Sequence, residues 1–137
     1  MARRVHHINF IVRDLEDAIA RYEKILDMPV TKRDQLDHRG VNTARFKLGE
    51  TWVVLVQPTG SEGEPARYLA EHGEGFFLMS LEVDSLTEEK SRLGAAMFAG
   101  TERPGVDDWR VTDLDAAMTF GAQLQMVTTG QQKTPGG

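Results

Sequence analysis

The sequence predicts an α+β domain made of two βαβββ modules, and three observations carry that expectation. Strand-like runs rich in β-branched residues alternate with stretches of helical periodicity. Glycine, proline and acidic turn residues cut the chain into more strands than a ferredoxin-like domain holds. A short internal match repeats at a fixed offset. Ile11-Val12-Arg13-Asp14-Leu15 resembles Glu82-Val83-Asp84-Ser85-Leu86, and Val12 and Val83, like Leu15 and Leu86, stand 71 positions apart.

The first module opens with a β-rich run, Val5 to Val12. Asp14 is placed to cap a helix, with Asp17 in its first turn. Leu15, Ala18, Ile19, Tyr22, Ile25 and Leu26 follow the spacing of an amphipathic helix, which Pro29 is expected to stop. Strands are expected at Val30 to Leu36, weakly, at Val41 to Leu48, and at Thr51 to Val56, the last two joined by a tight turn at Gly49-Glu50. After a loop at Gly60 to Gly63, Pro65 suits the first turn of a short helix ending near Gly73.

The second module repeats the plan. A strand from Phe76 to Val83 precedes a cap at Asp84-Ser85 and a helix from Leu86 to Leu93, closed by Gly94. Strands are expected at Ala96-Met97-Phe98, Arg110 to Leu114 and Ala122 to Val127, with Gly100 to Asp108 as an irregular loop. The reading is one domain over 1–130, with modules at about 5–60 and 76–128 and a flexible tail at 131–137 that lacks an apolar anchor.

With no cysteine, disulfides, thiolate metal sites and a cysteine nucleophile are excluded. The formal charge of −5, spread without a basic stripe, argues against nucleic acid as a partner. The longest apolar run near the start, Phe10-Ile11-Val12, is too short for a signal core or a membrane span, so the expected location is cytoplasmic.

The chain resembles the vicinal-oxygen-chelate (glyoxalase/bleomycin resistance/dioxygenase) superfamily, and within it the methylmalonyl-CoA epimerases most. The resemblance rests on His7 to Ala18, on Pro65 to Gly75, on Leu81 to Leu86 and on Arg103-Pro104-Gly105, and it spans residues 5 to 128. It implies a vicinal-oxygen-chelate fold, with sheets curled around a cleft, and a homodimer. In that family, ligands on the first and last strands of each module hold a metal that chelates an enolate or two adjacent oxygens.

Carried over residue by residue, those ligand positions fall on His7, Val54, Leu78 and Gln125, and the epimerases' second proton-transfer carboxylate falls on Thr43. Valine and leucine cannot coordinate a metal, which leaves His7 and Gln125 as the only metal candidates. No cofactor is therefore expected, and a divalent metal is the exception to be tested.

The remaining candidates follow from period two along the strands. His7 is an acid/base or polarising group, or else a core histidine satisfying a hydrogen bond. Arg45 shares the face of Thr43 and is either an anion anchor or a solvated arginine paired with an acid. Trp52, Val54, Val56 and Leu78 would line the cleft with apolar surface. Gln125 would orient a ligand carbonyl or cap an internal network. His6 and Gln57 are expected to face away from the cleft, His6 toward the helix side or solvent. Glu82 is expected to be solvated, and Asp37, His38, Asp107, Asp108, Asp113 and Asp115 to sit in loops and turns.

The functional expectation is a metal-independent enzyme, of isomerase or lyase type, acting on a small organic acid, acyl thioester or polyketide-like carbonyl compound. A non-catalytic small-molecule binding protein of the bleomycin-resistance type is the alternative. A metal-dependent epimerase or lyase with substituted ligands is the third reading.

Overall fold

A computed structural model describes residues 1–130 and divides the chain into two compact units. One unit is His7–Phe77; the other joins Met1–His6 to the chain from Leu78 onward. The tail expected at 131–137 lies outside the described residues. The elements are β1 (Ala2–Ile11), α1 (Leu15–Leu26), β2 (Lys32–Leu36), β3 (Val41–Leu48), β4 (Thr51–Pro58), α2 (Glu64–His72), β5 (Gly75–Val83), α3 (Leu86–Leu93), β6 (Phe98–Pro104), β7 (Arg110–Leu114) and β8 (Leu124–Thr128).

In the His7–Phe77 unit the strand order is β2-β3-β4-β1. β2, β3 and β4 pair antiparallel as a meander, and β1 closes against β4 in parallel. One face of this sheet carries α1. Leu15 and Ile19 pack with Ala44, Phe46 and Leu55, and Phe10, Tyr22 and Val53 extend that core. The helix starts where the sequence requires: the Asp14 carboxylate accepts from the Asp17 amide at 3.1 Å. Gln57 Oε1 accepts from the Leu15 amide at 2.6 Å, so Gln57 does face the helix side. Pro29 does not end α1. Asp27, in the left-handed conformation at φ 54°, donates its amide to the Glu23 carbonyl and ends the helix two residues earlier.

In the other unit β5 pairs parallel with β8, β8 antiparallel with β7, and β7 antiparallel with β6. The Ser85 hydroxyl caps α3 by accepting from the Glu88 amide at 3.1 Å. Leu86 packs with Val83, Leu114 and Met126 in this unit's core.

The two caps, Asp14 and Ser85, stand 71 positions apart, as the internal match requires. The pairing repeats at the same offset: Ile8 faces Val53 in one module and Met79 faces Leu124 in the other. Two sequence expectations change. Ala96-Met97 forms a turn of 3₁₀ helix, so the strand expected there begins only at Phe98. β6 then runs on through Gly100 to Pro104, a stretch expected to be irregular. A register break between Ala99 and Arg103 absorbs its glycine.

Candidate functional site

In the His7–Phe77 unit, the sheet face opposite α1 is defined by cross-strand register, because paired residues point the same way. One row runs Lys47, Trp52, His7. The next runs Lys32, Arg45, Val54, Asn9, and a third runs Asp34, Thr43, Val56, Ile11. The structure therefore brings the expected residues His7, Thr43, Arg45, Trp52 and Val54 onto one face. His7, Thr43, Val54 and Val56 are buried, and Arg45 is only 2% exposed. Val41, Val54 and Val56 pack together there with Leu36 and Trp52.

Arg45 is thus not the solvated strand arginine that was one of its two readings. Its Cζ lies 4.5 Å from the centre of the Trp52 ring, and Lys47 Nζ approaches the same ring at 4.8 Å. Arg45 Nη2 lies 3.8 Å from Asp34 Oδ2, within ion-pair range and beyond hydrogen-bond range. Three oxygens on this face are buried with no hydrogen-bond partner: Asn9 Oδ1, Asp34 Oδ2 and Thr43 Oγ1. Such atoms are rare, since an unmet buried polar group costs about 1–3 kcal/mol. A guanidinium and oxygen atoms held against an apolar wall can bind a ligand that is part anionic, part hydrogen-bonding and part apolar.

Asn9 and Asp34 belong to this face although sequence reading passed over them. The signal was the alternation Lys32, Asp34, Leu36, which places Asp34 opposite Thr43 once β2 is accepted as a strand.

The other unit holds the remaining candidates. Leu78 is buried and offers only apolar surface. Gln125 is buried, pairs in register with Ser80 on one side and Asp113 on the other, and donates from Nε2 to Asp113 Oδ1 at 3.3 Å. Asp113 is no loop residue: it lies in β7 and accepts two hydrogen bonds from Arg103, at 2.6 and 3.1 Å. Asp115 does cap a turn, accepting from the Ala117 amide at 2.9 Å.

Two more expectations are corrected in this unit. Glu82 is buried rather than solvated, and Arg4 Nε donates to it at 2.9 Å, which neutralises a charge that could not otherwise stay inside. His6 is not in solvent; it is buried edge-on against Trp109, with ring centres 4.5 Å apart. Two other carboxylates are held below the usual carboxylate range: Asp84 by hydrogen bonds from Arg3, and Glu89 chiefly by the hydrogen bond from Arg92.

The donor set does not fit a chelated divalent metal. Of the four positions that the family resemblance assigns to ligands, Val54 and Leu78 carry no lone pair. Gln125, whose Nε2 donates to Asp113, keeps an oxygen that could coordinate, so it and His7 are the two ligands left of the four, too few to chelate a divalent ion. Among the described residues, no three His, Asp or Glu side chains gather into a potential metal set. None of the helices among the described residues is long and apolar enough to cross a membrane.

Comparison with known proteins agrees with the architecture. A 32% identical match over 84 residues joins the chain to the human protein named methylmalonyl-CoA epimerase, mitochondrial, covering 61% of this chain and 48% of that one. The chain thus spans about half the length of that relative. The Bacillus subtilis (strain 168) protein YqjC is 24% identical over 126 residues, 90% of each chain. Among solved structures, a variant of Streptomyces coelicolor methylmalonyl-CoA epimerase in complex with 2-nitronate-propionyl-CoA superposes with a TM-score of 0.88 at 22% identity. That match covers 98% of this chain and 100% of the other, and it shows the vicinal-oxygen-chelate fold. The epimerase from Mycobacterium tuberculosis gives a TM-score of 0.85 at 21% identity, covering 94% of this chain and 89% of that one. The family model described as Glyoxalase/Bleomycin resistance protein/Dioxygenase superfamily matches residues 6–112, and the chain belongs to that superfamily.

Proposed function

We propose that the chain is an enzyme of isomerase or lyase type that acts, without a bound metal, on a small acidic carbonyl compound, with an acyl thioester as the preferred class. The observation that carries this reading is the buried face of the His7–Phe77 unit, where Arg45 lies over Trp52 and opposite Val54, with the Thr43 oxygen, which has no hydrogen-bond partner, in the next row opposite Val56. Arg45 would take the anionic end of the substrate through paired N–H donors. His7 would polarise the carbonyl or move the proton beside it, a task suited to imidazole near neutral pH. Val54 would supply apolar contact in place of a metal ligand. Relatives whose names refer to an acyl-CoA epimerase favour the thioester over the other substrate classes. A homodimer follows from the family resemblance, and sedimentation analysis would check it.

The test is proton exchange at the carbon next to the thioester of methylmalonyl-CoA in heavy water, followed by NMR, with protein stripped by chelator. We expect exchange by the wild type, a loss of about 10²-fold or more in His7→Ala, and no change on adding divalent metals. Exchange that appears only with added metal would restore the chelate reading, and exchange unaffected by His7→Ala would remove His7 from the chemistry.

A binding protein without turnover is the second reading, and the apolar lining of Val41, Val54, Val56 and Trp52 favours it. Stoichiometric binding that raises the melting temperature while the ligand stays unchanged would establish it.

A further inference from the structure

We infer that Lys32 and Lys47, gathered about Trp52, form a surface site for phosphate, so that the acyl group arrives on a phosphate-bearing carrier of the coenzyme A kind. This rests on the acyl-thioester reading above and adds where the carrier lies. Lys32 is the direct cross-strand partner of Arg45, and Lys47 stands two residues along β3 on the same face. Directly opposed like charges weaken a strand pair, so sheet stability does not account for this gathering. The three rows that hold it carry Lys32, Arg45 and Lys47 against the carboxylate of Asp34. Three positive charges less one negative leave a local excess of two, in a chain whose formal charge is −5.

Lys47 makes the cluster fit to bind. It is exposed, yet its ammonium is held 4.8 Å from the centre of the partly exposed Trp52 ring, the ring that Arg45 approaches at 4.5 Å. The ring fixes a side chain that is otherwise mobile, so less rotamer freedom is lost when it grips a ligand. An ammonium has three N–H donors, and that of Lys47 makes neither an ion pair nor a hydrogen bond among the described residues. Phosphate, with several oxygens and more than one charge, matches a cluster of cations better than a single carboxylate does. It can be held at the surface with water on its far side, so the site calls for no buried cavity. The same row leads to the chemistry. Lys47, Trp52 and His7 are successive cross-strand neighbours, and two strand spacings set Lys47 and His7 about 10 Å apart along the row. A ligand with phosphate at Lys47 and its reacting carbon at His7 is elongated, as a carrier-bound acyl group is and a small free acid is not.

The test is calorimetry of the full chain with CoA and with pantetheine, which has the same thiol arm and no phosphate. CoA should bind about tenfold or more tightly. The gap should narrow as salt is raised, because exposed charge pairs are screened. Lys47→Gln should cut the CoA affinity by about threefold or more, and adding Lys32→Gln should cut it further. Arg33→Gln is the control. It removes the same charge from the opposite face of β2, where Arg33 pairs with Glu16, and should leave the CoA affinity within about twofold.

Equal affinity for CoA and pantetheine, or binding of neither, would overturn the phosphate site. So would an Arg33→Gln loss as large as that of Lys47→Gln, since the effect would then be one of total charge. Proton exchange at the methylmalonyl thioester of pantetheine judges the enzyme reading separately. Exchange there without a CoA preference leaves the enzyme and removes the site; a CoA preference that depends on Lys47, without exchange, keeps the site and removes the proposed chemistry.

Discussion

Arg45 and Asp34 invite a double-mutant cycle, because their geometry sets a narrow range for what they are worth to each other. At 3.8 Å, Coulomb's law gives about 1 kcal/mol in bulk water and about 4 kcal/mol at the effective dielectric of a protein boundary. Arg45 is almost fully buried, which pulls toward the upper figure. The Asp34 side chain keeps 21% of its exposure and the pair makes no direct hydrogen bond, which pulls toward the lower. We expect a coupling energy of about 2 kcal/mol. Arg45→Met, Asp34→Asn and the double variant would be unfolded in urea and followed by tryptophan fluorescence. Arg45→Met also loses the stacking over Trp52, worth about 0.5–2 kcal/mol, but that loss occurs in both arms of the cycle and cancels. The double variant should therefore be more stable than the sum of the single losses. A coupling below about 0.5 kcal/mol would place the pair with solvent-screened surface bridges and remove Asp34 as the counter-charge of Arg45.

Four further outcomes are expected. Asp14→Ala and Ser85→Ala should each cost about 1 kcal/mol in denaturation, and their losses should add, because each caps a helix of a different module. Phe120 stands in the left-handed conformation at φ 60° and is 101% exposed, so Phe120→Asn should raise stability by about 0.5–1 kcal/mol through relief of backbone strain, and unchanged stability would contradict that. Glu89 titrates below its ordinary value chiefly because of the hydrogen bond from Arg92. Its contribution is complete above the unfolded carboxylate value of about 4.3 and is lost as pH falls through the lower folded value, so Glu89→Gln should flatten the acid limb of stability against pH. Leu55, fully buried under α1, should cost about 2–5 kcal/mol when changed to alanine, read from urea midpoints.

Much of the fold was legible because local chemistry and global pattern agree. β3 and α3 have the bounds that alternation and capping predict, since Gly40 and Gly94 punctuate them and each presents one apolar face. β6 was not legible: its residues, Phe98 to Pro104, include a glycine, two charges and a proline, and only pairing with β7 makes them a strand. The candidate face was legible through period two, which put Arg45 with Thr43 and Trp52 with Val54. What sequence could not show was desolvation. Arg45, Glu82 and His6 are each of a type usually found in water, and tertiary neighbours rather than their own segments bury them. Asp34 escaped notice for a related reason: its strand is short and polar, so the alternation of Lys32, Asp34 and Leu36 reads as a face only once β2 is accepted as a strand.

The parallel closure of each module also governs how the chain reaches its native state. His7 meets Trp52 across 45 positions, and Ser80 meets Gln125 across 45 as well. Loop-closure entropy depends on length, so both closures carry the same penalty, and neither module starts ahead on that account. The order of events is then decided by what each has already zipped locally. β3 and β4 offer eight residues apiece joined by a tight turn, against five each for β7 and β8. Nucleation should begin at the Gly49-Glu50 hairpin, with β1 arriving late. Slowing of refolding by Val53→Ala, with little effect from Met126→Ala, would be its kinetic signature.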